Sequence, residues 1–258
     1  MKYYFPFGQE LKKVKQKEKS PKEVFVLGVY ASAVHAKWID KDGKQKVSAL
    51  AVASEPDIFW TGEKAEEIIS AIHIPDELGK LVVPSDKRLN GPSGKVLDNL
   101  FLKPLKLDRD KAWLCDLLPE SRVNEQQENA LKKHYTGDLI SKYNLPLATI
   151  PKLRPEDLNS EKRRNEILGE LEASRAETII LLGDLPIKHF LHYFDKRFSK
   201  LSDFGKTKET YGKGQNIKIA SKEYNVIALC HPRQAGRLGR SDTYWWELHN
   251  DWVNSNQQ

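Results

Sequence analysis

The residues best able to do chemistry stand inside or just after apolar runs. Asp116 interrupts Ala112-Trp113-Leu114-Cys115-Asp116-Leu117-Leu118, and a carboxylate in such a run needs a partner, a ligand or a reaction. His231 follows the apolar run Val226 to Cys230, and Pro232 restricts the backbone beside it. Tyr30 and Ser32 follow Val24-Phe25-Val26-Leu27-Gly28. An ionised Asp only accepts hydrogen bonds, whereas a phenol with a pKa of about 10 is a poor general base that can still stack or donate. Run ends from opposite ends of the sequence meet if the runs are parallel strands, since ligands bind outside the carboxyl ends of such a sheet.

Other residues suit phosphate. Arg233, Arg237 and Arg240 alternate with Gly236 and Gly239, a pattern that lets guanidinium forks and backbone N–H groups approach an anion closely. Ser32, His35, Lys37 and Ser93 are read as further DNA or phosphate contacts, and Leu238 as either a wedge into a displaced base's space or a loop anchor. No cofactor is expected. There is no Walker loop, no H-E-x-x-H pair and no nucleophile elbow, and His73, His134, His189, His192 and His249 have no metal-ligand spacing. Cys115 and Cys230 read as reduced core thiols.

The elements that must position these residues alternate. Val24 to Leu27 reads as a central strand, Ala33 to Ile39 and Val47 to Ala53 as a hairpin insertion, and Ala112 to Leu118, Thr178 to Leu182 and Tyr224 to Cys230 as further strands. Ala65 to Ile72, Gly94 to Leu102, Glu161 to Ala173, Leu185 to Phe194 and Tyr244 to Val253 read as helices. Strand alternating with helix predicts an α/β fold with a short, mainly parallel sheet covered on both sides.

The order of these landmarks resembles the uracil-DNA glycosylase superfamily from about Val24 to Val253. The resemblance rests on five places. They are Gly28-Val29-Tyr30-Ala31-Ser32, Gly91-Pro92-Ser93-Gly94-Lys95 before a helix, Trp113 to Leu118 with Pro119 to Asn124, Thr178 to Gly183, and Val226 to Leu229 with His231-Pro232. It implies a three-layer αβα sandwich and a metal-independent hydrolase that removes a flipped base from DNA. His231 would donate to the departing base oxygen. Tyr30, Asp116 and Asn124 would line the base, with Asp116 where relatives carry an amide. Asp116 could accept from a base amino or ring N–H group, orient water, or simply pair with Arg122. The chain departs from the family in its first loop, where Val29 and Tyr30 occupy the positions of the usual Glu, Asp or Asn. A second departure is Arg88-Leu89-Asn90, where an aromatic ring is usual; Phe59 or Trp60 would have to stack instead. The alternatives are a catalytically silent nucleic-acid-binding protein of the same fold and an enzyme acting on a free nucleotide.

Composition sets the frame. Of 258 residues, 39% are hydrophobic and 30% charged, with no apolar run near the roughly 18 residues of a membrane span. The net charge of +6 and pI near 9.0 are compatible with DNA without requiring it. Leu11 to Lys22 carries six lysines, so residues 1–22 read as a basic arm and 23–258 as one domain. A cytoplasmic monomer without a signal peptide is the expectation.

Overall fold

A computed structural model describes residues 2–239 and 243–256. The strands are β1 (Val24–Tyr30), β2 (Ala33–Ile39), β3 (Gln45–Ser54), β4 (Lys80–Val82), β5 (Ala112–Leu118), β6 (Thr178–Leu182), β7 (Gln215–Ile219) and β8 (Lys222–Leu229). The helices are α1 (Ala65–Ser70), α2 (Pro92–Leu97), α3 (Glu125–His134), α4 (Gly137–Tyr143), α5 (Pro155–Leu158), α6 (Glu161–Ser174), α7 (Asp184–Pro186), α8 (His192–Phe194), α9 (Pro232–Ala235) and α10 (Thr243–Asn256). The chain divides into two compact units, each built from three stretches. One comprises Met1–Val14, Ala31–Pro92 and Glu120–Arg154; the other comprises Lys15–Tyr30, Ser93–Pro119 and Pro155–Gln258.

The second unit holds the expected α/β sheet. Its order is β5-β1-β6-β8-β7, with β5, β1, β6 and β8 parallel and β7 antiparallel at one edge. The continuous apolar sequences of β1, β5 and β6 have the reason the pattern implies, because Phe25, Val26, Leu27, Ile179, Ile180 and Leu181 are fully buried. Helix α6 packs on β5 and β1. Ser160 caps its start by accepting from the Arg163 N–H, and Ile167, Leu171 and Ser174 are buried on its inner face. Helix α2 runs into a π-helical stretch at Asp98–Leu102, and α7 into another at Ile187–Leu191.

The first unit has its own sheet. The expected hairpin is β2-β3, and β4 pairs with the other edge of β2, giving the antiparallel order β3-β2-β4. Trp38 is completely buried, donates from Nε1 to the Leu78 carbonyl at 2.8 Å, and meets the Phe7 ring edge-on at 5.3 Å. Phe7 in turn packs edge-on against Tyr135, whose hydroxyl accepts from the Phe7 N–H and donates to the Pro146 carbonyl. The amino-terminal residues are therefore part of a core, with Phe5 and Phe7 buried, and not a free arm ahead of a single domain. Helices α3 and α4 belong to this unit and bury no residue fully, so their sequences carry no strong apolar period.

Candidate functional site

Parallel register brings three of the candidate residues of the second unit to one sheet edge. Asp116 of β5 lies beside Gly28 of β1, and Tyr30 ends β1 beside Leu118. Leu182 of β6 lies beside Leu229 of β8, and the Gly183 N–H donates to the Leu229 carbonyl at 2.8 Å, two residues before His231. Across the sheet, β1 and β6 separate Asp116 from His231, which puts their strands about 14 Å apart at the usual interstrand spacing.

Asp116 is 4% exposed, and its carboxyl makes no hydrogen bond among the described residues. Gly28, its register neighbour, adds no side chain to that face. Burial pushes the Asp116 carboxyl up to about 7, against the pull of the Arg163 guanidinium and with a smaller push from Glu170. Arg163 itself reaches in from α6: Nε donates to the Leu117 carbonyl at 3.2 Å, and Nη2 donates to the Asp116 carbonyl at 2.7 Å and to the Cys115 Sγ at 3.2 Å. Glu166 and Glu170 accept from its remaining nitrogen. Arg122, which the sequence offers as a pairing partner for Asp116, belongs to the first unit and pairs there with Glu120.

His231 caps α9. Its Nδ1 accepts from the Arg233 N–H at 3.1 Å, and its own N–H donates to Gln234 Oε1. Burial, with the Arg233 charge nearby, pushes its pKa down to about 4, so near neutrality the ring is uncharged. A neutral imidazole that accepts at Nδ1 carries its proton on Nε2, which makes His231 a donor. Gly183 sits against it at φ +85°, where an added Cβ would lie 3.1 Å from the His231 Cβ.

The loop after His231 is held by its own side chains. Arg233 Nε donates to the Leu238 carbonyl at 2.9 Å, and the exposed Arg237 lays its guanidinium over Trp246 at 4.8 Å from the ring centre. Leu238 is half-buried, and Ser93 lies in the first turn of α2. Arg240 lies outside the described residues. Behind the loop, the Cys230 N–H donates to the Tyr211 hydroxyl, Tyr211 donates to His249 Nδ1, and His249 Nε2 donates to the Leu100 carbonyl. Burial holds His249 down to about 4 and the Cys230 thiol up to about 12, consistent with a core thiol.

The remaining candidates fall in the first unit. Asn124 is the N-cap of α3 and accepts from the Gln127 N–H at 2.9 Å, so its side-chain oxygen has a structural task in place of base binding. His35 is held at Nδ1 by the Leu89 carbonyl, and its pKa is lowered by burial. It is therefore a neutral ring with an accepting Nε2 and does not fit the role of a phosphate-binding cation. The Asn90 amide brackets the same residue, accepting from the His35 N–H and donating to its carbonyl. Lys37 is half-buried in β2, Ser32 is exposed and accepts at its carbonyl from Ser121, and Trp60 is core and no stacking platform.

Arg163, Tyr211 and Trp246 are the residues that sequence reasoning missed. For Arg163 a signal existed: it shares the spacing of Ile167, Leu171 and Ser174, and an arginine on an apolar helical face points to a buried polar task. Among the described residues no group of three His, Cys, Asp or Glu side chains is placed to hold a metal, and no helix is long and apolar enough to cross a membrane. No family model matches the chain, and no curated protein matches it.

Proposed function

We propose that the carboxyl edge of the parallel sheet is a nucleobase site, and that the chain is a uracil-DNA glycosylase-like hydrolase of DNA repair. It would act as a cytoplasmic monomer without cofactor on a flipped uracil or another damaged or non-standard base. The observation that carries this reading is the Asp116 carboxyl, nearly buried and without a hydrogen-bond partner among the described residues, on the edge that also ends in His231. A carboxyl with a pKa of about 7 is well matched to exchange a proton or a hydrogen bond at neutral pH.

In this reaction water adds at the sugar carbon, the glycosidic bond breaks, and its electron pair leaves with the base. The His231 Nε2–H donates to the oxygen on which that charge collects, and a neutral donor fixed by its own loop needs little reorganisation. The attacking water gives its proton to the Asp116 carboxylate, or to bulk water where Asp116 holds the base edge. Arg233 and Arg237, with a net charge of +6, supply contacts for the DNA backbone.

A binding protein without catalysis is favoured by one observation. Val29 is buried and Tyr30 stands at the end of β1, so that strand end offers neither a carboxylate nor an amide to hold water. Single-turnover base release, with protein in excess over oligonucleotides carrying uracil, hypoxanthine, xanthine or cytosine, separates the two. Release lost on His231→Ala supports the hydrolase, and silence across the panel, with the chain folded, rejects it.

A further inference from the structure

Asp116 stands where an amide would present both a donor and an acceptor, and its chemistry depends on whether it holds a proton. The protonated acid has one O–H and one C=O, side by side, and matches either of two base edges. One is a lactam edge, a ring N–H beside a carbonyl, as in uracil and hypoxanthine. The other is an amino group beside a ring nitrogen, as in cytosine. The carboxylate has two acceptors and no donor. It still accepts from an amino group, but it sets lone pair against lone pair at a lactam carbonyl, which costs affinity.

The geometry permits this use. The Asp116 side chain is buried, at 4% exposure, and its oxygens have no hydrogen-bond partner among the described residues, so no described protein group has fixed the carboxyl in one state. The charged groups on elements packed against β5 are Glu161, Lys162, Arg163, Arg164, Glu166, Glu170 and Glu172 of α6, Glu156 and Asp157 of α5, and Arg109, Asp110 and Lys111 of the turn before the strand. Arg163 and Glu170 act on Asp116 in opposite senses, and Arg163 spends its hydrogen bonds on carbonyls, Cys115 Sγ and the two glutamates. The neighbouring Cys115 thiol is held protonated by burial, and β1 contributes only the Tyr30 phenol.

We infer that Asp116 is a proton-dependent base reader, admitting lactam-edge and amino-edge bases alike when protonated and turning against lactam-edge bases when ionised. The inference rests on the nucleobase reading above and adds the substrate class and its regulation. The titration centred on about 7 places the change where it alters behaviour near neutrality.

Fluorescence anisotropy on the full chain tests it, using single-stranded oligonucleotides that differ only in carrying hypoxanthine or cytosine at one position. The ratio of the two affinities, measured from about pH 5.5 to about pH 8.5, cancels any change in backbone binding. The expected result is a hypoxanthine-to-cytosine affinity ratio that is level below the midpoint and falls by up to about tenfold per pH unit above it, and a pH-independent ratio in Asp116→Asn. A base-dependent ratio that is flat with pH in the wild type overturns the inference and leaves the nucleobase site standing. The same pH dependence persisting in Asp116→Asn also overturns it, assigning the titration to another group. No dependence on the base at any pH removes the site and the inference together.

Discussion

Arg163 Nη2 donates to the backbone carbonyl of Asp116 at 2.7 Å, while the Asp116 carboxyl itself has no hydrogen-bond partner among the described residues. The guanidinium thus secures the strand at the position of the acid and leaves the acid available. With Nε on the Leu117 carbonyl, the same side chain fixes two successive residues at the carboxyl end of β5. Arg163→Met would strand those carbonyls and take its charged partner from the part-buried Glu170, which keeps the Trp113 Nε1–H. The expected loss is about 3–5 kcal/mol in urea denaturation, with Arg163→Lys recovering part of it. Equal stability of Arg163→Met and wild type would show that the network holds nothing.

Asp116 ties stability to pH. Its folded value of about 7 lies above the ordinary 3.8, so the folded chain binds this proton more tightly than the unfolded one. Its contribution is complete below the ordinary carboxylate range, declines as pH rises from there, and is gone just above about 7. The full span is about 4 kcal/mol. Asp116→Asn removes the titration, so the difference in stability between variant and wild type should move in the variant's favour by that amount from pH 4 to pH 8. A constant difference would contradict the buried, unpartnered acid.

The Tyr211–His249 pair carries the opposite dependence. His249 is held down to about 4, below its ordinary 6.5, so stability is intact above about 6.5 and falls as pH drops toward 4. Tyr211→Phe leaves the Cys230 N–H and His249 Nδ1 without their partner, and a loss of about 2–4 kcal/mol is expected at neutral pH. An acid-unfolding midpoint and a stability that are both unchanged would sink this account.

Gly183→Ala should act on His231 directly. At φ +85° and ψ −173° the backbone is in a region kept by glycine, and the added methyl meets His231. A loss of about 1–3 kcal/mol is expected, together with a shift of the His231 ring resonances. An unshifted ring would show that the strand end does not position it.

Phe7→Ala tests whether the amino terminus is structural. Removing a ring that packs edge-on against both Trp38 and Tyr135 should cost about 3–5 kcal/mol, whereas a solvated arm would cost nothing.

Much of the α/β unit was legible because its strands are buried on both faces. Ala112–Leu118 and Thr178–Leu182 have the bounds their apolar runs predict, and Asp116 stood out because it broke one. The first unit was obscured for the opposite reason. Its β2-β3 hairpin shows alternation, but α3 and α4 bury no residue fully, and Phe7 finds its partners 31 and 128 positions away, beyond any local pattern. Of the site, residue type indicated Asp116 and His231. It could not indicate that Asn124 is a cap or that His35 is a neutral ring on a carbonyl, since both depend on which backbone group lies within reach.

Asp116 is a buried acid with no hydrogen-bond partner among the described residues, poised near neutrality on the edge where the parallel strands end. The most direct measurement is a carbon-13 NMR titration of its carboxyl in the full chain, assigned with Asp116→Asn. A midpoint close to 7 is predicted. A midpoint in the ordinary carboxylate range, near 4, would mean that the carboxyl is solvated or paired, and would contradict the account.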